Sequence, residues 1–101
     1  RAPLSVAGTG ALEPDGRVVG VGGLSHKLRG VVEDARGGPL PDAFLLPSDD
    51  LPVARRAIVG RDLLLVPVTD LGEALQALDT LARGGTPEGA VLLAADGGAG
   101  R

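Results

Sequence analysis

The chain has 101 residues, of which 44% are hydrophobic and 23% are charged, and its formal net charge is -3. This length allows one small domain or part of one. The acidic balance predicts no nucleic-acid partner, since phosphate binding requires clustered Lys and Arg. The longest uncharged apolar run, residues 63–68, is far too short to span a membrane. With no Cys and only one His, His26, disulfides, thiol nucleophiles and His-rich metal sites are excluded, and we expect neither a metal nor a cofactor.

Two further features of the composition concern the origin of the chain. It contains no methionine, so Arg1 is not a translation start, and we expect a fragment or a processed product. Nine of the ten basic residues are Arg and the tenth is Lys27, a usage typical of a GC-rich genome. Any targeting segment would lie upstream of Arg1, so a cytoplasmic location and a membrane-anchored extracytoplasmic one in a GC-rich bacterium both stay open.

The first third of the chain predicts a strand hairpin followed by a helix. Residues 3–12 form a strand candidate, and Asp15-Gly16 is a hairpin signal between that strand and residues 17–21. Apolar residues then recur at helical spacing over residues 24–35, which end at Gly-Gly-Pro.

The remainder predicts alternating strands and helices. Residues 43–46 and 62–68 are buried-strand candidates, and Pro67 suggests an edge strand or a strand end. Between them Ser-Asp-Asp and Pro52 predict the start of a short helix over residues 53–58.

A longer helix follows. Asp70 and Glu73 form a capping-box pattern. We expect this helix to end at Gly84-Gly85. It places four leucines on one face: Leu71, Leu75, Leu78 and Leu81.

These elements predict an α+β domain with a small mixed sheet over residues 1–83. Residues 84–101 are rich in Gly and Ala and are expected to form a partly disordered tail, with a weak strand at residues 90–93 and disorder at residues 97–101.

The glycines at residues 20–23 follow a strand and precede a helix, which makes a phosphate-binding loop a hypothesis. The dinucleotide pattern requires a third Gly where Ser25 stands, and the Gly-Lys-Ser/Thr of a Walker A loop is missing. A tight strand-to-helix turn is the favoured interpretation.

The acidic pairs Glu33-Asp34 and Asp49-Asp50 lack spaced partners for a metal or for glycoside chemistry, and we interpret both as solvated charges.

Lys27 is the strongest catalytic candidate among single residues. Adjacent helical residues point about 100° apart, so Ser25, His26 and Lys27 do not form a triad. Lys27 borders the apolar stripe of its helix, where its amine either reaches water or is partly buried. Burial would lower the pKa of the amine and make it a usable general base for a serine hydroxyl.

The order of motifs resembles the Lon-type proteolytic domain. Residues 6–12 (Val-Ala-Gly-Thr-Gly-Ala-Leu) lead to Asp-Gly-Arg-Val at residues 15–18 and to Val-Gly-Gly-Leu-Ser-His-Lys-Leu at residues 21–28. That family has a strand with a Thr-Gly pair, a short hairpin and a Gly-Gly-x-x-x-Lys segment that opens a helix.

Later segments extend the resemblance in the same order. Ala-Phe-Leu-Leu-Pro at residues 43–47 is similar to the next strand of the family. Leu-Leu-Leu-Val-Pro-Val at residues 63–68, followed by Asp-Leu-Gly-Glu-Ala-Leu at residues 70–75, is similar to its last strand and helix. The likeness covers residues 5–82, and the Gly-Thr-Gly variant looks closest to membrane-anchored Lon-like proteins with a PDZ domain.

The resemblance implies roles for two residues. Lys27 matches the general base of the Ser-Lys dyad of the family, and Thr9 matches the threonine that supports this lysine by hydrogen bonding. The family also implies a polypeptide substrate, a homo-oligomer, and an ATPase or PDZ domain in the parent protein. Ala11 stands where many Lon enzymes carry an acidic residue, and no segment of this chain matches the one that carries the nucleophilic serine.

Two functions from different classes follow. The first is the lysine-bearing half of a Lon-like serine endopeptidase, whose serine comes from an upstream segment or another chain. The alternative is a non-catalytic module that keeps the Lon-like fold for assembly or partner binding. An unrelated small α/β ligand-binding domain is a third interpretation if the ordered resemblance is a coincidence.

Overall fold

The computed structural model describes residues 4–20, 28, 30, 40–56 and 62–93. These residues form six strands, a 3-10 turn and two α-helices. The strands are β1 (Val6–Gly8), β2 (Ala11–Leu12), β3 (Val18–Val19), β4 (Ala43–Pro47), β5 (Leu63–Val68) and β6 (Val91–Leu93). The 3-10 turn is Ser48–Asp50, and the helices are α1 (Leu51–Arg55) and α2 (Leu71–Ala82). Leu28 and Gly30 are also helical.

A four-stranded mixed sheet organises the domain, in the order β1-β4-β5-β6. β4 pairs in parallel with both β1 and β5, whereas β6 pairs antiparallel with β5. β4 and β5 consist of apolar residues and proline because strands covered on both faces cannot alternate apolar and polar residues. The predicted α+β class with a small mixed sheet is confirmed at this level.

Each face of the sheet contributes to its own buried cluster. One cluster joins the sheet to Leu28 and to Ala54 of α1: Leu28, Phe44, Leu46, Ala54, Leu63, Leu65 and Leu93. The other joins it to α2: Ala43, Val66, Val68, Ala77 and Leu81. Successive residues of β4 and β5 alternate between the two clusters, as the two-residue period of a strand requires. The sheet therefore has helical residues on both faces.

The predicted first strand is divided in two by Gly10. The chain leaves the main sheet after β1, turns at Gly10 with φ of +130°, and pairs β2 with β3 in a separate two-stranded hairpin. A φ in this range is readily adopted only by glycine. The predicted turn at Asp15-Gly16 is confirmed, and Gly16 also has a positive φ of 92°.

Sequence signals at both ends of α2 are confirmed. At its start, the Asp70 carboxylate accepts from the Glu73 N–H at 2.8 Å. The Glu73 carboxylate bonds one residue earlier than in a standard capping box, accepting from the backbone N–H and the hydroxyl of Thr69. At its end, Gly84 N–H donates to the Leu81 carbonyl and Gly85 N–H to the Thr80 carbonyl, which is the Schellman arrangement.

The face that α2 buries differs from its leucine stripe. Leu81 is only 8% exposed, but Leu71 and Leu75 are 44% and 57% exposed. The buried side is centred instead on Ala77 and Leu81, with Ala74 partly buried beside them. Small alanines let the helix lie close to the sheet, so burial follows them rather than the larger side chains.

The other predicted elements agree in place and differ in extent. The short helix α1 begins at Leu51, directly after the 3-10 turn, rather than at residue 53. Pro67 lies in an internal strand but beyond the stretch that pairs with β6, so the strand-end interpretation is correct. β6 confirms the weak strand expected at residues 90–93, and Leu93 is fully buried.

Two predictions lie outside the described residues. They are the helix at residues 24–35, of which Leu28 and Gly30 alone are described, and the disorder at residues 97–101.

The orientation of α2 predicts contrasting effects of two leucine substitutions. Leu81→Ala should lower the free energy of unfolding by about 2–3 kcal/mol, because it removes buried apolar volume. Leu75→Ala should change it by less than about 0.5 kcal/mol, because that residue is more than half exposed. Urea titration of the two variants measures the difference. Equal losses would show that Leu75 is packed against the domain.

Candidate functional site

Hydroxyl-bearing residues follow each of the three parallel strands. Thr9 comes after β1, Ser48 after β4 and Thr69 after β5. Because the carboxyl ends of parallel strands meet at one edge of a sheet, these residues line the same edge, the usual place for a ligand or active site in open sheets with parallel strands. We call it the carboxyl edge.

Thr9, one of the two predicted site residues, is held at the carboxyl edge by its backbone. It is half-buried, and its N–H donates to the Leu45 carbonyl of β4 at 3.0 Å. This bond continues the β1–β4 ladder by one residue beyond β1. The position of the Thr9 backbone is therefore fixed relative to β4.

Gly10 determines how the chain leaves this edge. A Cβ atom at Gly10 would lie 3.1 Å from Pro47 Cγ, 3.1 Å from Val18 Cγ1 and 3.3 Å from the Val19 carbonyl oxygen. The chain therefore turns in a space enclosed by β3 and the end of β4. This close packing fixes the hairpin next to Thr9.

Lys27, the predicted general base, lies outside the described residues, as do Ser25 and His26. Leu28, which follows it in the chain, is fully buried in the cluster that contains Phe44 and Leu46 of β4. Thr9 is bonded to Leu45 of the same strand. β4 is thus the element in contact with both Thr9 and the residue after Lys27.

Asp50 also belongs to the surroundings of this edge, which the sequence did not predict. A Cβ atom at Gly20 would lie 2.7 Å from Asp50 Oδ2 and 2.9 Å from Oδ1. The half-buried Asp50 carboxylate is therefore packed against the backbone of Gly20, the residue that precedes the Val-Gly-Gly segment. The interpretation of Asp49-Asp50 as solvated charges is too simple for Asp50. Its proximity to Gly20 depends on tertiary structure, and no local pattern signals it.

The acidic start of α2 forms a second polar group at the carboxyl edge. The hydrogen bond from the Thr69 hydroxyl, and then that from its N–H, hold the pKa of Glu73 below its ordinary value, because both stabilise the carboxylate form. Glu73 also borders an open cavity of about 180 Å³ between β5, α2 and the loop before β6. Thr9 does not line this cavity.

Neither a metal-holding cluster nor a membrane-spanning helix is found in the described part of the chain. Residues 4–20, 28, 30, 40–56 and 62–93 contain no group of three or more His, Cys, Asp or Glu side chains arranged to hold a metal ion. None of the helices within these ranges is both long and apolar enough to cross a membrane.

Comparisons with protein-family models, with curated proteins and with solved structures found no match. The likeness to the Lon family therefore depends on the sequence motifs and their order.

The packing around Gly10 predicts a strong effect of a single methyl group. Gly10→Ala should destabilise the domain by about 2–3 kcal/mol, since the residue combines a positive φ with contacts shorter than alanine tolerates. Gly16→Ala is the matched control, because Gly16 has a positive φ but nothing within 4 Å of an added Cβ. Its cost should be about 1 kcal/mol. Chemical denaturation measures both, and equal costs would show that the enclosure at Gly10 is unimportant.

The Thr69–Glu73 contact predicts a defined titration. Thr69→Val should raise the pKa of Glu73 toward its ordinary value, and the remaining backbone N–H bond should keep the recovery incomplete. Because the pKa in the folded state is the lower one, the contact stabilises the domain above the ordinary Glu value of about 4.3. That stabilisation is lost as the pH falls through the pKa of the folded state. NMR titration of the Glu73 side chain provides the measurement, and an unchanged pKa in Thr69→Val would contradict the assigned cause.

Proposed function

We propose that this chain is the lysine-bearing half of a Lon-like serine endopeptidase domain, in which Lys27 is the general base and Thr9 supports it. The observation that carries the proposal is the single consistent order of Lon-like motifs over residues 5–82. No individual motif has comparable weight.

The fold is compatible with this assignment in three respects. Thr9 lies at the carboxyl edge of a sheet with parallel strands, where active sites of such sheets occur. Its backbone is fixed by β4, and the fully buried Leu28 packs in a cluster with residues of the same strand. A general base of this kind requires a partly desolvated amine, because burial favours the neutral form of the lysine.

The proposed chemistry is acyl transfer to a serine supplied from outside the 101 residues. The neutral Lys27 amine takes the proton of the serine hydroxyl as its oxygen attacks the peptide carbonyl. The tetrahedral intermediate then collapses, the C–N bond breaks, and the leaving amine takes the proton from the lysine. Water attacks the acyl-enzyme with the same assistance, which releases the second product and regenerates the serine hydroxyl. Backbone N–H groups near that serine stabilise the oxyanion.

The same proposal implies what this chain works with. The serine comes from upstream sequence or another chain, the substrate is a polypeptide, and the assembly is a homo-oligomer. The parent protein includes an ATPase or PDZ domain. Without the serine, the 101 residues alone do not hydrolyse peptides.

A non-catalytic module for assembly or partner binding is the second candidate. It is favoured by one specific observation, namely that no segment of this chain matches the serine-bearing segment of the family. The two candidate functions differ in the pKa that they require for the Lys27 amine. A general base needs a lowered pKa for the Lys27 amine, whereas a module that uses the fold as a scaffold leaves it near about 10.4.

The test is peptidase activity of the native product that contains these residues. Lys27→Ala should reduce kcat by at least about 10²-fold with an unchanged circular dichroism spectrum, because the serine loses its base. Thr9→Val should reduce activity by a smaller factor, and Thr9→Ser, which retains the hydroxyl, should restore most of it.

Activity that survives Lys27→Ala would overturn the assignment of the base. A wild-type product without peptidase activity, together with a Lys27 amine that titrates near its ordinary value, would favour the non-catalytic module.

A further inference from the structure

The cavity between β5, α2 and the loop before β6 is lined by described residues from all three segments. We call it the α2 cavity. Its volume is about 180 Å³, whereas pockets for drug-sized molecules usually exceed about 300 Å³. The α2 cavity is therefore sized for one large side chain or for a small organic ion of similar volume.

Apolar side chains form the inner surface of the α2 cavity. Val66 and Val68 of β5 and Ala77 of α2 are buried residues that line it, and Pro67 and Pro87 extend this surface. Proline has no backbone N–H, so neither proline offers a hydrogen-bond donor to a ligand. A surface of this kind suits the aliphatic carbons of a ligand.

The polar side chains that line the cavity are rich in oxygen acceptors. They are Glu73, Gln76 and Thr80 of α2 and Glu88 of the loop before β6. The three helical residues are spaced by three and four, so they share one face of α2 over about 10 Å. Each of the four side chains can supply an oxygen acceptor, and two of them are carboxylates. No Lys, Arg or His is among the described residues that line the cavity, so its charge favours a cation.

The Glu73 carboxylate is held in place and keeps one oxygen for a ligand. The hydrogen bonds that its side chain receives within the described ranges come from the Thr69 N–H at 2.7 Å and the Thr69 hydroxyl at 2.6 Å, and both go to Oε1. Oε2 can therefore accept from a ligand in the cavity. The same two bonds lower the pKa of Glu73, so the carboxylate is ionised at neutral pH.

Two arginines beside α2 are ion-paired outside the cavity. Arg83, at the end of the helix, pairs with Asp79 at 3.1 Å. Arg17, whose backbone forms a bridge with Asp70, pairs with Asp15 at 3.2 Å. Neither arginine lines the cavity. The charges of Glu73 and Glu88 are therefore not neutralised by these neighbours.

An exposed leucine on the same face of the sheet extends the site beyond the cavity. Leu92 of β6 lies opposite Leu64 of β5, so its side chain is on the face that Leu64 and Val66 share. Leu92 and Val66 are diagonal neighbours, roughly 7–8 Å apart. Leu92 is 53% exposed. A polypeptide with one side chain in the cavity can cover Leu92 with a second side chain, whereas a small ion cannot.

We propose that the α2 cavity binds an arginine side chain of a partner polypeptide. The aliphatic carbons of this arginine contact Val66, Val68 and Ala77, and its guanidinium is held by Glu73 and Glu88. A guanidinium suits the site better than an ammonium, because its planar fork of five donors reaches several acceptors at once and is more weakly hydrated. The site does not depend on the proposed function, since Thr9 does not line the cavity.

The test is an NMR titration of the isotope-labelled 101-residue chain with the blocked peptide acetyl-Gly-Arg-Gly-Leu-Gly-amide. Residues two apart in an extended peptide are about 7 Å apart, which matches the distance from the cavity to Leu92. The amide signals of Gln76, Thr80 and Glu88 should shift, with a dissociation constant of about 1 mM or lower.

Three further ligands identify which chemistry the cavity recognises. A peptide with citrulline in place of arginine keeps the shape and loses the charge, and it should bind at least about tenfold more weakly. A peptide with lysine should bind at least about threefold more weakly, because an ammonium has fewer donors. Agmatine, a small guanidinium ion without a peptide backbone, should also bind more weakly than the arginine peptide, because it cannot cover Leu92.

A pair of variants with the same change of charge locates the site. Glu88→Gln should weaken binding of the arginine peptide at least about fivefold, because it removes one carboxylate from the cavity. Asp49→Asn is the matched control, since Asp49 is exposed and does not line the cavity. It should change the affinity by less than about twofold. Both substituted residues are exposed, so the melting temperatures should stay close to that of the wild type.

Several results would overturn the proposal. Equal affinity for the arginine and citrulline peptides would show that the carboxylates do not hold the ligand. Equal losses in Glu88→Gln and Asp49→Asn would show a general attraction of cations to an acidic protein. Agmatine binding as tightly as the peptide would identify a small cation as the ligand and exclude the polypeptide partner. Absence of shifts at Gln76, Thr80 and Glu88 would exclude the cavity itself.

Discussion

The parallel pairing of β1, β4 and β5 is the constraint on which the rest of the structure depends. Parallel strands are joined by crossover connections and are covered on both faces, so their side chains must be apolar on both sides. The alternation of β4 and β5 between two separate buried clusters meets this requirement. Within these strands no polar side chain is available for chemistry. The polar residues are placed where the strands end, and parallel pairing brings three of those ends to one edge.

At the carboxyl edge, the β2–β3 hairpin is hydrogen-bonded to the segment that begins α2. Val18 N–H donates to the Thr69 carbonyl, and the Gly16 carbonyl accepts from Leu71 N–H. The residues after β1 are thereby bonded to the start of α2, although the two are more than fifty residues apart in the chain. The bend at Gly10 makes this possible, since it releases the chain from the sheet directly after Thr9. The turn at Gly10 and the candidate functional residue Thr9 are therefore adjacent, because the chain leaves the sheet directly after Thr9.

Local signals in the sequence predicted the elements well and predicted their contacts less well. The buried strands, the Asp15-Gly16 turn and both ends of α2 depend on neighbouring residues, so they were recognisable from sequence. The buried face of α2 was not, because burial depends on how closely the helix approaches the sheet, and this favours Ala77 over Leu75. For the same reason the contact of Asp50 with Gly20 has no local signature. For the candidate site, the sequence predicted Thr9 inside a strand over residues 3–12, whereas the structure places it directly after β1. The role of its hydroxyl depends on groups distant in the chain.

The titratable groups of this chain limit which residue can serve as the general base of the proposed endopeptidase. Nine of its ten basic residues are Arg, whose guanidinium does not release a proton in proteins. The sequence has one His and one Lys, the adjacent residues His26 and Lys27. Leu28 packs into the core. An amine close to buried apolar side chains is partly desolvated. Partial desolvation lowers the pKa of an amine toward neutrality without needing a charged partner. In the proposed endopeptidase this is the physical reason why a lysine can act as the base, and the choice of Lys27 rests on the order of Lon-like motifs over residues 5–82.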